Sequence, residues 1–211
     1  MSNPADIAAC ERTSQLYVAD WLNVWRLSSG GADIQRLLPK SASNPLESLR
    51  ALSVTATGLL VTTYEELMQF DTDGDILRRV SVYNRSHAVE SPSGLLIVSH
   101  YNSETKRHQV SVVNTGGQLI RQFVGSYHQQ PLGFIPHIAV DSKGNIFVAD
   151  HDNRRILLLD AQLKLRRVII DEHQLNYEQP WRLCYMEQSG QLLVGLAKRA
   201  SVAVFHVTID A

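Results

Sequence analysis

The sequence predicts an all-β protein built from one repeated four-stranded unit, and three features of its 211 residues indicate this. A hexad with a central valine recurs, short alternating apolar segments flank it, and Ser, Asp, Asn and Gly separate those segments. Short alternating segments with turn residues between them are typical of antiparallel strands joined by hairpins. No window of useful length carries a helical period.

The recurring hexad sets the period of the repeat. Its copies read QLYVAD, GLLVTT, LLIVSH, NIFVAD and QLLVGL, and their central valines are Val18, Val61, Val98, Val148 and Val194. These valines are 43, 37, 50 and 46 residues apart. A period near the mid-forties is typical of a four-stranded propeller blade.

Each unit reads as strand a, turn, strand b, loop, strand c, turn and strand d. The central strands are almost continuously apolar, as expected where neighbouring sheets cover both faces. We therefore predict a β-propeller of four-stranded antiparallel blades, with about five blades in this chain. The domain is expected to span residues 1–211, with blades at roughly 5–40, 45–83, 86–127, 131–173 and 179–211.

The fifth unit stops after strand c, in SVAVFHVTIDA. Two alternatives follow: a five-bladed ring closed mainly by packing, or part of a larger propeller.

Composition narrows the function classes. The formal net charge of −1 gives no global attraction to nucleic acid or to an anionic membrane. The two cysteines, Cys10 and Cys184, form no disulfide framework and are predicted to be small core residues. No signal peptide and no apolar run long enough to cross a membrane are found, so a reducing, cytoplasmic location is expected.

The stretch PHIAVDSKGNIFVADHDNRRILLLD, residues 136–160, resembles the NHL repeat, whose typical form is P-x-G-I-A-V-D-x-x-G-N-I-Y-V-A-D-x-x-N-x-R-I-x-x-F-D. The matching residues are Pro136, Ile138, Ala139, Val140, Asp141, Gly144, Asn145, Ile146, Val148, Ala149, Asp150, Asn153, Arg155, Ile156 and Asp160. The first unit keeps LYVAD and Asn23. The resemblance covers nearly the whole chain in period, but only this one unit in motif.

The resemblance implies a propeller that is usually six-bladed. In tripartite-motif proteins NHL propellers bind RNA or protein. A similar fold serves the peptidyl-amidating lyase, and lactonase-like enzymes are looser relatives. The RING, B-box and coiled-coil modules of tripartite-motif proteins have no counterpart in this sequence, which contains no Cys/His cluster and no heptads.

Propeller ligands usually meet the face where strands a begin and the b–c loops lie. Arg50, His87, His137 and Arg182 fall near the start of strand a in four successive units. They are candidates to hold an anion at the mouth of a central channel; the alternative is that they only line a water-filled channel or bond to neighbouring blades. Zinc takes three or four protein ligands, so two histidines predict no metal site.

Aromatic and basic residues of the b–c loops form a second set of candidates. The segment HYNSETKRHQ, 100–109, is about four residues longer than its counterpart in the fourth unit and carries Tyr101, Lys106 and Arg107. Trp21 and Trp181 are further candidate ligand-binding residues. Asp150, Asn153 and their copies Asp20 and Asn23 are instead interpreted as turn residues, and arginines in the strands d as protection of sheet edges.

No catalytic motif and no phosphate-binding loop occurs in the sequence. The predicted function is a non-enzymatic binding or scaffold propeller that recognises a protein or peptide on its channel face, without a cofactor or membrane. One alternative is binding of single-stranded RNA through a basic face, comprising Arg50, Lys106, Arg107, Arg154, Arg182, Lys198 and Arg199. A further alternative is a metal-dependent enzyme of the lyase or lactonase type.

Overall fold

The computed structural model describes residues 4–10, 14–28, 33–38, 46, 49–64, 66–81, 85–125, 130–198 and 201–209. Regular structure in these residues consists of strands without any helix. Accordingly, this part of the chain contains no helix that could cross a membrane.

The strands follow one another at short intervals. They are β1 (Asp6–Cys10), β2 (Gln15–Ala19), β3 (Val24–Leu27), β4 (Ile34–Leu38), β5 (Ala51–Val54), β6 (Gly58–Thr62), β7 (Leu67–Asp71), β8 (Ile76–Val80), β9 (Arg85–Glu90), β10 (Leu96–Asn102), β11 (Arg107–Val113), β12 (Leu119–Phe123), β13 (Ile138–Val140), β14 (Ile146–Asp150), β15 (Arg155–Leu159), β16 (Leu165–Ile170), β17 (Pro180–Met186), β18 (Gln191–Leu196) and β19 (Ser201–His206).

The strands form five antiparallel sheets, each in chain order. The first four sheets contain four strands each (β1–β4, β5–β8, β9–β12 and β13–β16), and the fifth contains β17, β18 and β19. This confirms the predicted fold class, an all-β chain whose sheets are the blades of a β-propeller. Internal packing divides the chain into two compact parts, which we call the N-terminal part (residues 1–90) and the C-terminal part (residues 91–211).

One turn design closes five of the a–b and c–d hairpins among the described residues. In the fourth sheet the Oδ1 atom of Asp141 accepts hydrogen bonds from the backbone N–H groups of Lys143 at 3.0 Å and Asn145 at 2.7 Å. Gly144 takes φ +84° there, a conformation that strains side-chain-bearing residues. The same backbone pattern begins at Asp71, Ser91, Asn114 and Asp160.

The apolar faces of neighbouring sheets form the cores. In the N-terminal part, Tyr17 and Leu38 pack with Leu59 and Phe70 of the second sheet. In the C-terminal part, Phe147 and Leu158 pack with Leu192 and Val194 of the fifth sheet. Each fully buried side chain of this kind contributes about 1.5–3 kcal/mol. Cys10 is buried in the first core as predicted, but Cys184 is exposed, because its strand position points away from the fourth sheet.

The outer strand of each of the first four sheets carries arginine. Arg36, Arg78, Arg121 and Arg167 lie on β4, β8, β12 and β16. Arg78 forms an ion pair with Glu90 at 3.4 Å. Charged side chains on an outer strand disfavour pairing with a further strand.

Asp20, predicted to be a turn residue, organises the b–c turn of the first sheet. Its Oδ1 atom accepts hydrogen bonds from the backbone N–H groups of Leu22 at 3.0 Å and Asn23 at 2.7 Å. Its Oδ2 atom accepts one from Nε1 of Trp25 at 3.2 Å. Burial by itself would raise the pKa of Asp20, but these hydrogen bonds to the carboxylate outweigh it and lower the pKa to about 2.

We expect Asp20→Asn to change how stability depends on pH. The folded pKa of about 2 lies below the ordinary value of 3.8, so the ionised carboxylate stabilises the fold above pH 4 and loses this effect as the pH falls toward 2. The wild type should exceed the variant by about 2 kcal/mol at pH 5, and the gap should close near pH 2. Urea unfolding across this range measures it. Asp33→Asn, at an exposed carboxylate, is the control; a gap independent of pH would contradict the prediction.

Candidate ligand-binding site

The extra residues of segment 100–109 lengthen a hairpin. Strands β10 and β11 have seven residues each, whereas β14 and β15 of the next sheet have five. The b–c turn itself has four residues in both sheets, 103–106 and 151–154. The extension therefore consists of two additional cross-strand pairs, Tyr101 with His108 and Asn102 with Arg107. The prediction of a longer loop was wrong at this point, because the added residues continue the ladder.

The extended hairpin contributes two rings to a larger group. Tyr101 and His108 are cross-strand partners, and their ring centroids are 5.0 Å apart. The centroid of Phe134 lies 5.7 Å from that of His108 and 5.7 Å from that of His151. Trp181 completes the group at 5.8 Å from Phe134 and 5.4 Å from His151. We call these five side chains the ring cluster; all belong to the C-terminal part, residues 91–211.

The segment that carries Phe134 is held to the b–c turn of the fourth sheet. Residues 131–137 form no strand. The backbone N–H of Phe134 donates to Oδ2 of Asp152 at 2.9 Å, and its carbonyl accepts from the N–H of His151 at 3.0 Å. Gly133 donates its N–H to Oδ1 of Asp150 at 2.9 Å. The carboxylates thus replace a strand partner and fix the place of the phenyl ring.

Asp150 is a structural residue as predicted, although it contacts more than its own turn. Its fully buried carboxylate accepts from Nε of Arg155 at 2.7 Å and from Nδ2 of Asn153 at 2.9 Å, besides the N–H of Gly133. Gly133 is required for this close approach: a Cβ atom there would lie 2.5 Å from the Cβ of Asp152. Asp150 therefore anchors both the turn and segment 131–137.

His151 and Asp152 form the most polar part of the cluster. Nδ1 of His151 lies 2.8 Å from Oδ1 of Asp152. An ionised carboxylate only accepts, so the proton of this contact lies on Nδ1, and in this neutral tautomer Nε2 would be the acceptor. Burial by itself would raise the pKa of Asp152, but its hydrogen bonds with Phe134 and His151 and the nearby imidazoles lower it. Its side chain remains 56% exposed.

His108 lies in a drier environment. Burial lowers its pKa below the ordinary value, and the carboxylates of Asp152 and Asp150, which raise it, offset only part of this effect. Its Nδ1 atom is buried and has no hydrogen-bond partner among the described residues. The cluster therefore combines a neutral imidazole with a second imidazole whose tautomer is set by a carboxylate.

A groove of about 480 Å³ adjoins the ring cluster at Trp181. Arg182, Gly195, Leu196, Ala197 and Val202 also line it. Gly195 is the cross-strand partner of both Arg182 and Val202, so at this position the middle strand places no side chain between them. The walls are mainly apolar, and the guanidinium of Arg182 supplies charge near the Trp181 ring, 5.9 Å from its centroid.

The structure places the predicted ligand-binding residues at several different positions. Tyr101 and Trp181 belong to the ring cluster and Arg182 to the groove, while Lys106 and Arg107 are exposed at the tip of the extended hairpin. His137 lies in the same C-terminal part, and its Nδ1 accepts a hydrogen bond from the N–H of Leu183 at 3.4 Å.

The remaining predicted ligand-binding residues belong to the N-terminal part; they are Arg50, His87 and Trp21. Arg50 lies over the ring of Tyr64, 5.3 Å from its centroid. His87 is buried, and its Nε2 lies 3.1 Å from Oγ of Ser53. Trp21 is 57% exposed. Three further residues of the predicted basic face are Arg154, which is partly buried, Lys198, which is exposed, and Arg199, which lies outside the described ranges.

Sequence reasoning did not select His108, Phe134, His151 or Asp152. One signal was present: three residues after the central valine of the hexad stand Trp21, Tyr64, Tyr101 and His151 in the first four units. A ring at the same place in four repeats marks the end of strand b and the start of the b–c turn as a variable aromatic position. Phe134 gave no such signal, because its segment has no regular counterpart. Across the described residues, no group of three or more His, Cys, Asp or Glu side chains is placed to hold a metal ion.

We expect Asp152→Asn to lower the pKa of His108 further. The carboxylate of Asp152 raises that pKa through its charge, so removing the charge leaves the effect of burial less opposed. Imidazole resonances followed by NMR over a pH series measure the shift. Asp160→Asn, in the c–d turn of the same sheet, should leave His108 unchanged. An unchanged or raised His108 pKa in Asp152→Asn would contradict the electrostatic description.

Comparison with known proteins shows the fold of the chain and not its family. No family model matches, and no curated protein matches. Among solved structures, Kuenenia stuttgartiensis hydrazine synthase matches with a TM-score of 0.71 and 13% identity over 98% of this chain and 72% of that chain. A streptogramin B lyase matches with a TM-score of 0.68 and 12% identity over 99% and 70%. A catalytically inactive variant of virginiamycin B lyase from Staphylococcus aureus, solved with quinupristin, matches with a TM-score of 0.63 and 11% identity over 100% and 73%.

Proposed function

We propose that this chain is a non-enzymatic binding propeller that recognises a peptide segment of a partner protein at the ring cluster and the adjoining groove. The observation that carries the proposal is the position of Trp181, which contacts Phe134 and His151 on one side and lines the groove on the other. Tryptophan at the centre of such a surface is the residue type that most often dominates binding energy.

The groove has the size and lining that an apolar peptide side chain requires. Its volume of about 480 Å³ is within the range of sites that enclose small ligands. Leu196, Ala197 and Val202 supply apolar walls, and the Arg182 guanidinium supplies donors for peptide carbonyl or carboxylate groups. Binding there would replace water at apolar surface while a polar rim fixes orientation.

The ring cluster is organised before any ligand arrives. Asp150 and Asp152 fix segment 131–137, and the Tyr101–His108 pair is part of a β-ladder. A surface that loses little side-chain and backbone freedom on binding keeps more of its contact energy as affinity. This supports recognition by the cluster itself, without an ordering transition.

Single-stranded RNA is the alternative ligand. RNA bases stack on exposed aromatic rings. In the C-terminal part, Lys106, Arg107 and Arg182 carry positive charge that could contact phosphates. The exposed carboxylate of Asp152 beside the rings disfavours a phosphate chain across the cluster. Peptide is therefore the better-supported ligand class.

We also infer that the repeat is of the NHL kind. The support comes from the roles of the residues that carry the resemblance. Asp141, Gly144 and Asn145 form the a–b turn, with Nδ2 of Asn145 donating to Asp141 at 2.7 Å. Asp150 and Arg155 form the buried ion pair at the b–c turn.

Trp181→Ala should weaken peptide binding about thirtyfold, because it removes the surface shared by the cluster and the groove. The probe is a random peptide library displayed on phage and selected on the wild-type chain, followed by titration of the best synthetic peptide. Trp181→Phe should recover part of the affinity, since it restores a ring. Trp21→Ala, which removes another exposed tryptophan from the N-terminal part, is the matched control.

Two outcomes would overturn the proposal. One is a failure of the library to yield any peptide whose binding depends on Trp181. The other is retention of a single-stranded RNA oligonucleotide, with affinity that falls steeply over a salt series and depends on Lys106 and Arg107, which would assign the surface to RNA instead.

A second candidate function, acid–base catalysis, is favoured by one observation. Asp152 orients His151 through Nδ1 and leaves Nε2 to accept a proton, as a general base requires. The His151 ring also contacts Trp181, which lines the groove. Lyases are among the proteins of similar fold, although at 10–12% identity this likeness concerns the fold alone.

Conversion of quinupristin, followed by liquid chromatography, tests this candidate. Turnover by the wild type that His151→Gln abolishes would support the enzyme, provided Trp21→Ala retains it. Absence of turnover, or turnover that His151→Gln leaves intact, removes this assignment and leaves the peptide proposal standing.

A further inference from the structure

A second cavity, of about 420 Å³, lies beside the fourth sheet. Its lining includes Arg155 of β15, Val168 of β16, and Asp171 and Glu172, which follow β16 in the chain. All of its lining residues lie between positions 130 and 174, so the cavity involves neither the first nor the last strand of the chain. Its volume is within the range of sites that enclose small ligands.

Arg155 brings an unused hydrogen-bond donor to this cavity. Its side chain is only 7% exposed. Nε donates to Oδ2 of Asp150 at 2.7 Å, and Nη1 donates to Oε1 of Gln130 at 3.1 Å. The Nη2 atom is buried and has no hydrogen-bond partner among the described residues. Because a buried donor without an acceptor is unfavourable, a ligand oxygen at this place would be stabilised.

The oxygen that suits Arg155 best is a neutral carbonyl. The buried carboxylate of Asp150 already balances the charge of the guanidinium. The other charged residues of the lining are Asp171 and Glu172, so the net charge around the cavity is negative. These surroundings disfavour a ligand carboxylate or phosphate. A carbonyl oxygen accepts from Nη2 without adding negative charge.

The turn that begins at Asp171 holds the two acidic residues in place. Oδ1 of Asp171 accepts from the backbone N–H of Gln174 at 2.9 Å, and Oε1 of Gln174 accepts from the N–H of Asp171 at 3.0 Å. Leu175, 1% exposed, packs the same turn against the core. Asp171 and Glu172 themselves are exposed. Two fixed carboxylates attract a cation, and an ammonium group has three N–H donors for them.

We propose that this cavity binds an α-ammonium group together with the carbonyl oxygen next to it, the two groups that form a free peptide N-terminus. The carbonyl oxygen accepts from Nη2 of Arg155, and the ammonium group donates to Asp171 and Glu172. A single carbon atom separates the two groups, so one small ligand carries both. Capture of an N-terminal amine is one of the recurring modes of peptide recognition.

This site is separate from the peptide site proposed above. Its lining shares no residue with the groove and contains none of the five side chains of the ring cluster. The two sites meet in the chain at the b–c turn 151–154, where His151 belongs to the ring cluster and Asn153 lines the cavity. Their tests use different ligands and different variants, so failure of one proposal leaves the other standing.

A ligand series followed by NMR at about pH 6.5, where an α-amino group is protonated, tests the proposal. Glycinamide carries both groups, ethylammonium lacks the carbonyl, N-acetylglycinamide lacks the ammonium, and glycine has a carboxylate in place of the amide. Glycinamide should shift the Nε–H resonance of Arg155 saturably. It should bind about tenfold more tightly than the other three, because each of them loses one interaction or adds negative charge.

A double variant, D171N/E172Q, tests the acidic side of the cavity. Asparagine keeps an oxygen that accepts the N–H of Gln174, so the turn should be retained. Loss of both charges should weaken glycinamide binding about tenfold. D33N/E104Q removes two exposed carboxylates elsewhere and should bind like the wild type. The ligand series needs no substitution and remains decisive if the double variant is destabilised.

A short peptide distinguishes a chain N-terminus from a small amino amide. Glycyl-alanyl-alanine amide should bind at least as tightly as glycinamide, because it presents the same two groups. The proposal is overturned if no ligand gives a saturable shift or if glycine, ethylammonium or N-acetylglycinamide binds as tightly as glycinamide. It is also overturned if the tripeptide does not bind, or if a folded D171N/E172Q keeps the wild-type affinity.

Discussion

The candidate site depends on one interaction: the carboxylate of Asp152 accepts the backbone N–H of Phe134 while its other oxygen contacts His151. Residues 131–137 form no strand, and without this contact the N–H of Phe134 would need another acceptor. With it, the phenyl ring becomes the centre that touches His108, His151 and Trp181. A single side chain thus connects a turn, an irregular segment and the electrostatics of two histidines.

The site also shows how a repeated fold acquires differences between its units. Asp20 and Asp150 occupy the same place in their units, yet Asp20 binds its own turn, whereas Asp150 binds Gly133 and Arg155. The third sheet differs by two extra cross-strand pairs, which bring Tyr101 and His108 to the cluster. Small local changes on a constant frame therefore suffice to build a surface that the other units do not have.

The sequence was most informative where a pattern repeats. The valine hexads predicted the sheets, and the Asp, Asn and Gly residues predicted turns that the structure contains at Asp71 and Asp141. Tyr101 was selected from the length of its segment and Trp181 from its residue type, and the structure brings both into the ring cluster. Phe134 and Asp152 were not predictable, because their roles arise from contacts across 18 residues in a segment without a periodic counterpart. The hairpin extension was misread for a related reason, since added length does not show whether residues continue a ladder.

The position three residues after the hexad valine has a consequence for protein engineering. Trp21, Tyr64, Tyr101 and His151 occupy it in four units, although their strands belong to the same frame. This place therefore accepts indole, phenol and imidazole side chains within one repeated frame. Randomising this place, with the anchoring carboxylates kept, offers a compact library in which recognition is varied and the scaffold stays constant.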